Sequence, residues 1–172
     1  MGDIRHVEIS SLLLGVLCKD PNTLTDYMKE LSEFGAPEIV SPVIPFDFTD
    51  YYARSMGSPL SRRFYLYPLP FDRAKLAEIK LRTNALERFA AESLDLGVDR
   101  PLNLDPGYLS PSKLVLASTK DHAHRIYLRD GIFAEITLHY HDKSYRPWPW
   151  TFPDYASERY IEFFNDARKR LF

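Results

Sequence analysis

The chain has 172 residues, 45% hydrophobic and 27% charged, which suits one domain over 1–172 that buries about 70% of its unfolded surface. Its 22 basic and 24 acidic residues leave a formal charge of −2, which argues against a general surface for duplex nucleic acid or anionic membrane. The lone cysteine, Cys18, excludes an internal disulfide and a cysteine-based zinc knuckle and fits a reducing, cytoplasmic setting.

Residues 8–18 are mostly apolar and predict a buried strand; the longest wholly apolar stretch, 12–18, is far below the ~20 residues of a membrane span. Residues 1–7 lack the basic flank and long apolar region of a secretion signal. A helix can begin at Asp20-Pro21, with Leu24, Tyr27, Met28 and Leu31 at helical spacing up to Gly35. Pro42 and Pro45 hold residues 39–46 out of a helix and predict an extended segment. Alternation around Phe64, Leu66 and Leu69 predicts a strand over 63–69.

Asp72 caps the clearest helix, in which Leu76, Ile79, Thr83, Leu86 and Ala90 share a face and Gly97 lies beyond the end. Residues 102–104 read as a short strand before a type II turn centred on Pro106 and Gly107. Ser110-Pro111 has the cap-then-proline form of a helix start, so 113–119 is expected to be helical. Residues 122–128 and 132–141 form a hairpin around Arg129-Asp130-Gly131. A last helix starts near Ser157 and turns Ile161, Phe164, Ala167 and Leu171 inward. The order predicts an α+β fold, a mainly antiparallel sheet with helices packed on it. Its first part has the βαββαβ order of a ferredoxin-like core, followed by a C-terminal β-hairpin and helix.

His122, His124, His139 and His141 invite a metal site, and hairpin register tests it. A three-residue loop with Gly131 left-handed pairs Ile126 with Ala134 and Tyr127 with Phe133, buries one apolar face, and sends the two histidine pairs to opposite faces. The same register sets Arg125 against Glu135, beside Lys120, Asp121 and His139. Such a cluster is either a strand-face salt bridge or the floor of a pocket for an anionic ligand.

Phe46-Asp47-Phe48-Thr49-Asp50-Tyr51-Tyr52 places two carboxylates among rings, suited to a divalent metal such as Mg²⁺ or to acid–base work, or to turns in an aromatic loop over the core. Arg62-Arg63 offers phosphate contacts or plain surface charge. Lys80, Asn84 and Glu87 border the apolar stripe of the long helix, facing a cleft or, with the Glu78–Arg82 pair, solvent. Asp105 accepts a hydrogen bond within its turn, and Lys113 meets an anion at a helix start. Residues 148–155, rich in Trp and Pro, form an extended aromatic strap, either a lid on the core or a platform for a nucleobase. No phosphate loop, dinucleotide-binding turn or nucleophile elbow occurs.

Several segments together resemble an uncharacterised bacterial family, a domain of unknown function, some of whose members carry a GTP-binding label. They are Phe46-Asp47-Phe48-Thr49-Asp50-Tyr51-Tyr52, Glu78-Ile79-Lys80-Leu81, Asn103-Leu104-Asp105-Pro106-Gly107-Tyr108-Leu109 and Lys113-Leu114-Val115-Leu116-Ala117-Ser118-Thr119-Lys120-Asp121. His124-Arg125-Ile126-Tyr127-Leu128 and Pro153-Asp154-Tyr155 extend the likeness nearly end to end. The resemblance implies a family identity and no particular reaction. Thr119-Lys120-Asp121 is a poor echo of a guanine-reading Asn-Lys-x-Asp, so the label draws no support from the residues.

The expectation is a polar site built from the loop after the second strand, the long helix and the hairpin, binding a small phosphorylated or nucleotide-like molecule as an enzyme or a binding protein. Its candidate catalytic residues are Asp47, Asp50, His124 and Glu135. Its candidate ligand-binding residues are Lys80, Asn84, Glu87, Asp105, Lys113, Lys120 and Arg125, with cofactor and oligomeric state left open. The alternative is a non-catalytic module whose aromatic strap binds a protein or single-stranded RNA.

Overall fold

Eight consecutive buried residues, Ser11–Cys18, form β1, an interior strand of the sheet in the computed structural model, which describes residues 2–3, 6–21, 34–93 and 97–172. The run is continuously apolar because both sheet faces are covered there. Leu12, Leu14, Val16 and Cys18 pack with Ile79 and Ala90 of a helix on one face, and Leu13 joins Phe64, Leu66 and Phe164 on the other.

The remaining strands are β2 (Ile39–Val40), β3 (Ile44–Phe46), β4 (Leu60–Leu66), β5 (Leu102–Leu109), β6 (Lys113–Ser118), β7 (Ile126–Arg129), β8 (Ile132–His141) and β9 (Ser144–Pro147). They form one sheet in the order β2-β4-β1-β5-β6-β8-β7, with β3 also on β4 and β9 on β8, and each pairing is antiparallel. Among the described residues, three α-helices complete the α+β architecture: the single turn α1 (Ala53–Met56), α2 (Leu76–Ser93) and α3 (Glu158–Leu171). Asp72 caps the approach to α2 by accepting from the Ala74 amide at 3.0 Å, and α3 buries Tyr160, Phe164 and Ala167. Among the described residues, no helix is long and apolar enough to cross a membrane.

The helix expected around Leu24 to Leu31, and with it the first helix of the βαββαβ order, lies outside the described residues. Residues 113–119 are not a helix. Ser110 and Lys113 close a tight turn, the Ser110 amide donating to the Lys113 carbonyl at 2.9 Å, so Pro111 serves a hairpin between β5 and β6. Nor do Pro106 and Gly107 make a turn; β5 runs through them. Pairing with β6 begins only at Gly107, and a Cβ on Gly107 would lie 2.1 Å from the Val115 carbonyl oxygen, so glycine there lets the two backbones close.

In the late hairpin, Ile126 faces Ala134 and Tyr127 faces Phe133 as expected, but β7 ends the sheet and all four of its residues are exposed, so the buried apolar face expected there does not form. The tip differs from expectation. Arg129 pairs Ile132 across a two-residue turn with Asp130 and Gly131 both left-handed, at φ 53° and 76°, and a bulge at Leu128 restores the register. β7 starts at Ile126 rather than residue 122, because the Arg125 amide bonds the His122 carbonyl in a turn.

Candidate functional site

On β4 the side chains of Leu60, Arg62, Phe64 and Leu66 alternate inward, which carries a guanidinium into the core with 2% of Arg62 exposed. Gly15 on β1 leaves it room: a Cβ there would sit 2.9 Å from the Tyr155 hydroxyl and 3.4 Å from Arg62 Nη1. Arg62 Nη1 donates to Asp105 Oδ2 at 2.7 Å and Nη2 to Asp154 Oδ2 at 3.2 Å, while Asn103 Nδ2 also donates to Asp105 Oδ2 at 2.9 Å. The guanidinium carbon lies 5.7 Å from the Phe46 ring centre and 5.8 Å from that of Tyr155. Arg62 Nε and the Tyr155 hydroxyl are buried without a hydrogen-bond partner.

The two carboxylates titrate in opposite directions. Burial pushes Asp154 up, and the pull of Arg62 does not offset it. Burial also acts on Asp105, but Arg62 and Lys80, with hydrogen bonds from Arg62 and Asn103, outweigh it and hold that carboxyl below its usual range.

Above this cluster opens a chamber of about 420 Å³ walled by Phe46, Phe48, Tyr51, Tyr52 and Phe152, with Arg62, Asp105, Asp154 and Tyr155 as its polar lining. Tyr51, Tyr52, Asp105, Lys120 and Phe152 also border a second chamber of about 160 Å³, which adds Lys80, Arg100 and Arg125. Three of its four cations are anchored. Lys80 donates to the Leu104 carbonyl at 2.9 Å, Arg100 to Glu87 at 2.8 Å, and Arg125 to Glu135 and to the Ser118 hydroxyl, both at 2.7 Å. The Lys120 ammonium, at the junction, makes no ion pair among the described residues.

The cleft thus gathers Lys80, Asp105, Lys120 and Arg125 from the sequence-predicted set. Glu87 and Asn84 line a neighbouring groove on α2 that meets the second chamber at Lys80, Arg100 and Thr119, and Glu87 also accepts the Leu104 amide at 2.7 Å. Glu135 stands behind Arg125. His124 lines neither chamber; its Nε2 lies 3.2 Å from Glu135 and its ring stacks 5.5 Å from Trp150. Lys113 begins β6 at the end away from Ser118, in register with His139.

Asp47 and Asp50 face a separate hollow on the outer side of the same loop. Asp47 is exposed and takes a hydrogen bond from Arg159, which holds its carboxyl below the usual range. Asp50 opens an exposed turn capped by Thr49. Among the described residues, no three His, Cys, Asp or Glu side chains gather in an arrangement that could hold a metal ion.

The aromatic strap divides in two. Trp148 and Trp150 stack at 5.2 Å, with His139 4.1 Å beyond Trp148 and His124 beyond Trp150, so the two histidine pairs meet one ring stack instead of parting to opposite faces. Trp150 Nε1 and the Thr151 hydroxyl bond the β8 carbonyls of Ile136 and Thr137. Phe152, Asp154 and Tyr155 then turn over the first chamber.

Sequence reasoning missed Arg62 as a buried centre, together with Arg100, Asp154 and Tyr155. The signal for Arg62 was present: it holds an inward place in the period-two series Leu60, Arg62, Phe64, Leu66.

A family model described as Domain of unknown function (DUF4416) matches residues 8–171. No curated protein and no solved structure matches the chain.

Proposed function

The chain belongs to the DUF4416 family, domains of unknown function, and from that premise we propose that its two-chambered cleft binds a small phosphorylated or nucleotide-like molecule. The carrying observation is the charge asymmetry across one shared wall. The aromatic chamber has two cations, Arg62 and Lys120, against two carboxylates, Asp105 and Asp154. The smaller chamber has four cations, Lys80, Arg100, Lys120 and Arg125, against Asp105 alone. A ligand suited to both carries an anionic head and a body with flat or apolar faces. The volume of about 420 Å³ falls in the range of small-molecule sites.

Lys120 is the residue expected to contact the head group, because its exposed ammonium stands where the chambers meet and has no ion pair to give up. Lys80 and Arg125 lend positive potential while their own hydrogen bonds hold them in place. On this reading Asp47 and Asp50 lie outside the ligand site, and the Trp148–Trp150 stack, whose facing rings cover each other, supports the strap as a lid more than as a platform.

Isothermal titration of the purified chain with AMP, ribose 5-phosphate and inorganic phosphate tests the proposal. Lys120→Ala is expected to weaken phosphate-bearing probes about tenfold or more, the worth of one charge-assisted hydrogen bond, with an unchanged melting temperature. Absence of binding by all three probes would overturn it.

A further inference from the structure

We infer that the floor of the aromatic chamber is a hydroxyl-reading subsite, so that the anionic ligand is a phosphorylated sugar or a nucleotide that keeps its vicinal hydroxyls. The inference rests on the two-chamber reading above and concerns the end of the ligand away from the anion.

The floor is built from buried parts: Arg62 is 2% exposed, Asp154 6% and Tyr155 2%. Salt bridges inside a core ordinarily satisfy themselves, because an unpaired polar atom out of water costs free energy. Here Arg62 Nε and the Tyr155 hydroxyl have no partner but are sealed behind the cavity wall, so the groups left to meet a ligand on this floor are the two carboxylates. Asp105 and Asp154 each give Oδ2 to the same guanidinium. A carboxylate has about four acceptor sites, so both retain acceptor capacity within the chamber they line.

The floor therefore presents spare carboxylate acceptors beside a guanidinium that is already paired. A phosphate or carboxylate, which only accepts, meets two like-charged carboxylates. An ammonium, which only donates, meets the Arg62 charge. An alcohol both donates and accepts and carries no charge to be repelled. A neighbouring pair of alcohols matches two carboxylates held by the two terminal nitrogens of one guanidinium. The apolar C–H face of a sugar ring can lie on the aromatic walls beside it.

Calorimetry on the full chain decides, with two probe pairs that differ in one hydroxyl: ribose 5-phosphate against 2-deoxyribose 5-phosphate, and AMP against dAMP. The hydroxylated member of at least one pair is expected to bind tenfold tighter or better. Asp154→Asn, which keeps the packed shape and removes the carboxylate charge, is expected to cut that ratio below threefold and to leave inorganic phosphate binding intact. Equal affinities within both pairs would overturn the subsite while sparing the two-chamber reading. So would a ratio that survives the variant. Failure of every probe, inorganic phosphate included, would overturn both.

Discussion

Arg62 and its two carboxylates make one buried unit of net negative charge, and its members contribute to stability with opposite signs. Asp105 is held below the ordinary carboxylate value of 3.8, so its share of stability is present above that pH and is lost as pH falls through its folded-state value. Asp154 is raised by burial, so the folded state binds its proton more tightly than the unfolded chain does. Its charge therefore costs stability progressively as pH rises from about 3.8 through the raised folded-state value, and the cost levels off above it. Asp154→Asn removes that titration and keeps a side-chain oxygen for Arg62. Urea denaturation from pH 3 to 8 should show the variant gaining on the wild type as pH climbs through this window, with a constant difference beyond it. A gap that narrows with rising pH would show that Asp154 is stabilised as an anion. The position of Arg62 was legible in the alternation of β4, yet a charged side chain at an inward place reads as surface until its partners are known. Those partners lie 43 and 92 residues away, beyond any local pattern.

At the scale of elements, β5 is the rib on which the cleft hangs, since Asn103 and Asp105 lie on it and Leu104 gives its carbonyl to Lys80 and its amide to Glu87. Its close fit to β6 depends on Gly107, where any Cβ would collide with the Val115 backbone, which cannot turn aside, as well as with the Leu116 side chain. Gly107→Ala should therefore cost about 3 kcal/mol, read as a lower urea midpoint at unchanged slope, since the strands must separate to admit the methyl group. It should also weaken probe binding, because β6 leads directly into Lys120. A variant as stable as the wild type would mean that the two strands slide past each other freely. This pair of strands is also where sequence reading failed. Pro106-Gly107 has the chemistry of a turn and Ser110-Pro111 that of a helix start, and both signals are local. What overrides the first is the backbone of β1 along the whole of β5, and what overrides the second is β8 along β6; each makes an extended chain the better use of the amides and carbonyls. The elements that read correctly did so on periodicity: the unbroken apolar run of β1 and the spaced stripe of α2.

Across the whole molecule, the two faces of the sheet do different jobs. The face under α2 holds Leu12, Leu14, Val16 and Leu104, an apolar layer. The face under α3 carries the aromatic cluster in which Phe64 lies 4.8 Å from Tyr160, 4.9 Å from Phe164 and 5.8 Å from Tyr155. Phe64 shares its strand face with Arg62, and Asp154 and Tyr155 stand directly before α3, whose Phe164 stacks on Tyr155, so the helix holds those two residues at the guanidinium. Two truncations separate this from a general loss of stability. Phe164→Ala should cost about 3–5 kcal/mol and Leu12→Ala about 2–5 kcal/mol, because each empties a fully packed position. For the folded protein, however, only Phe164→Ala should weaken AMP or ribose 5-phosphate, by tenfold or more, as Asp154 and Tyr155 lose their support. Leu12→Ala should leave that affinity within twofold, since its side chain faces the opposite layer. Urea titration gives the stability of each variant, and calorimetry well below its midpoint gives the affinity of the folded form. Equal loss of affinity in both would mean that the cleft answers to overall rigidity. Loss confined to Phe164→Ala would tie the lid to the α3 layer.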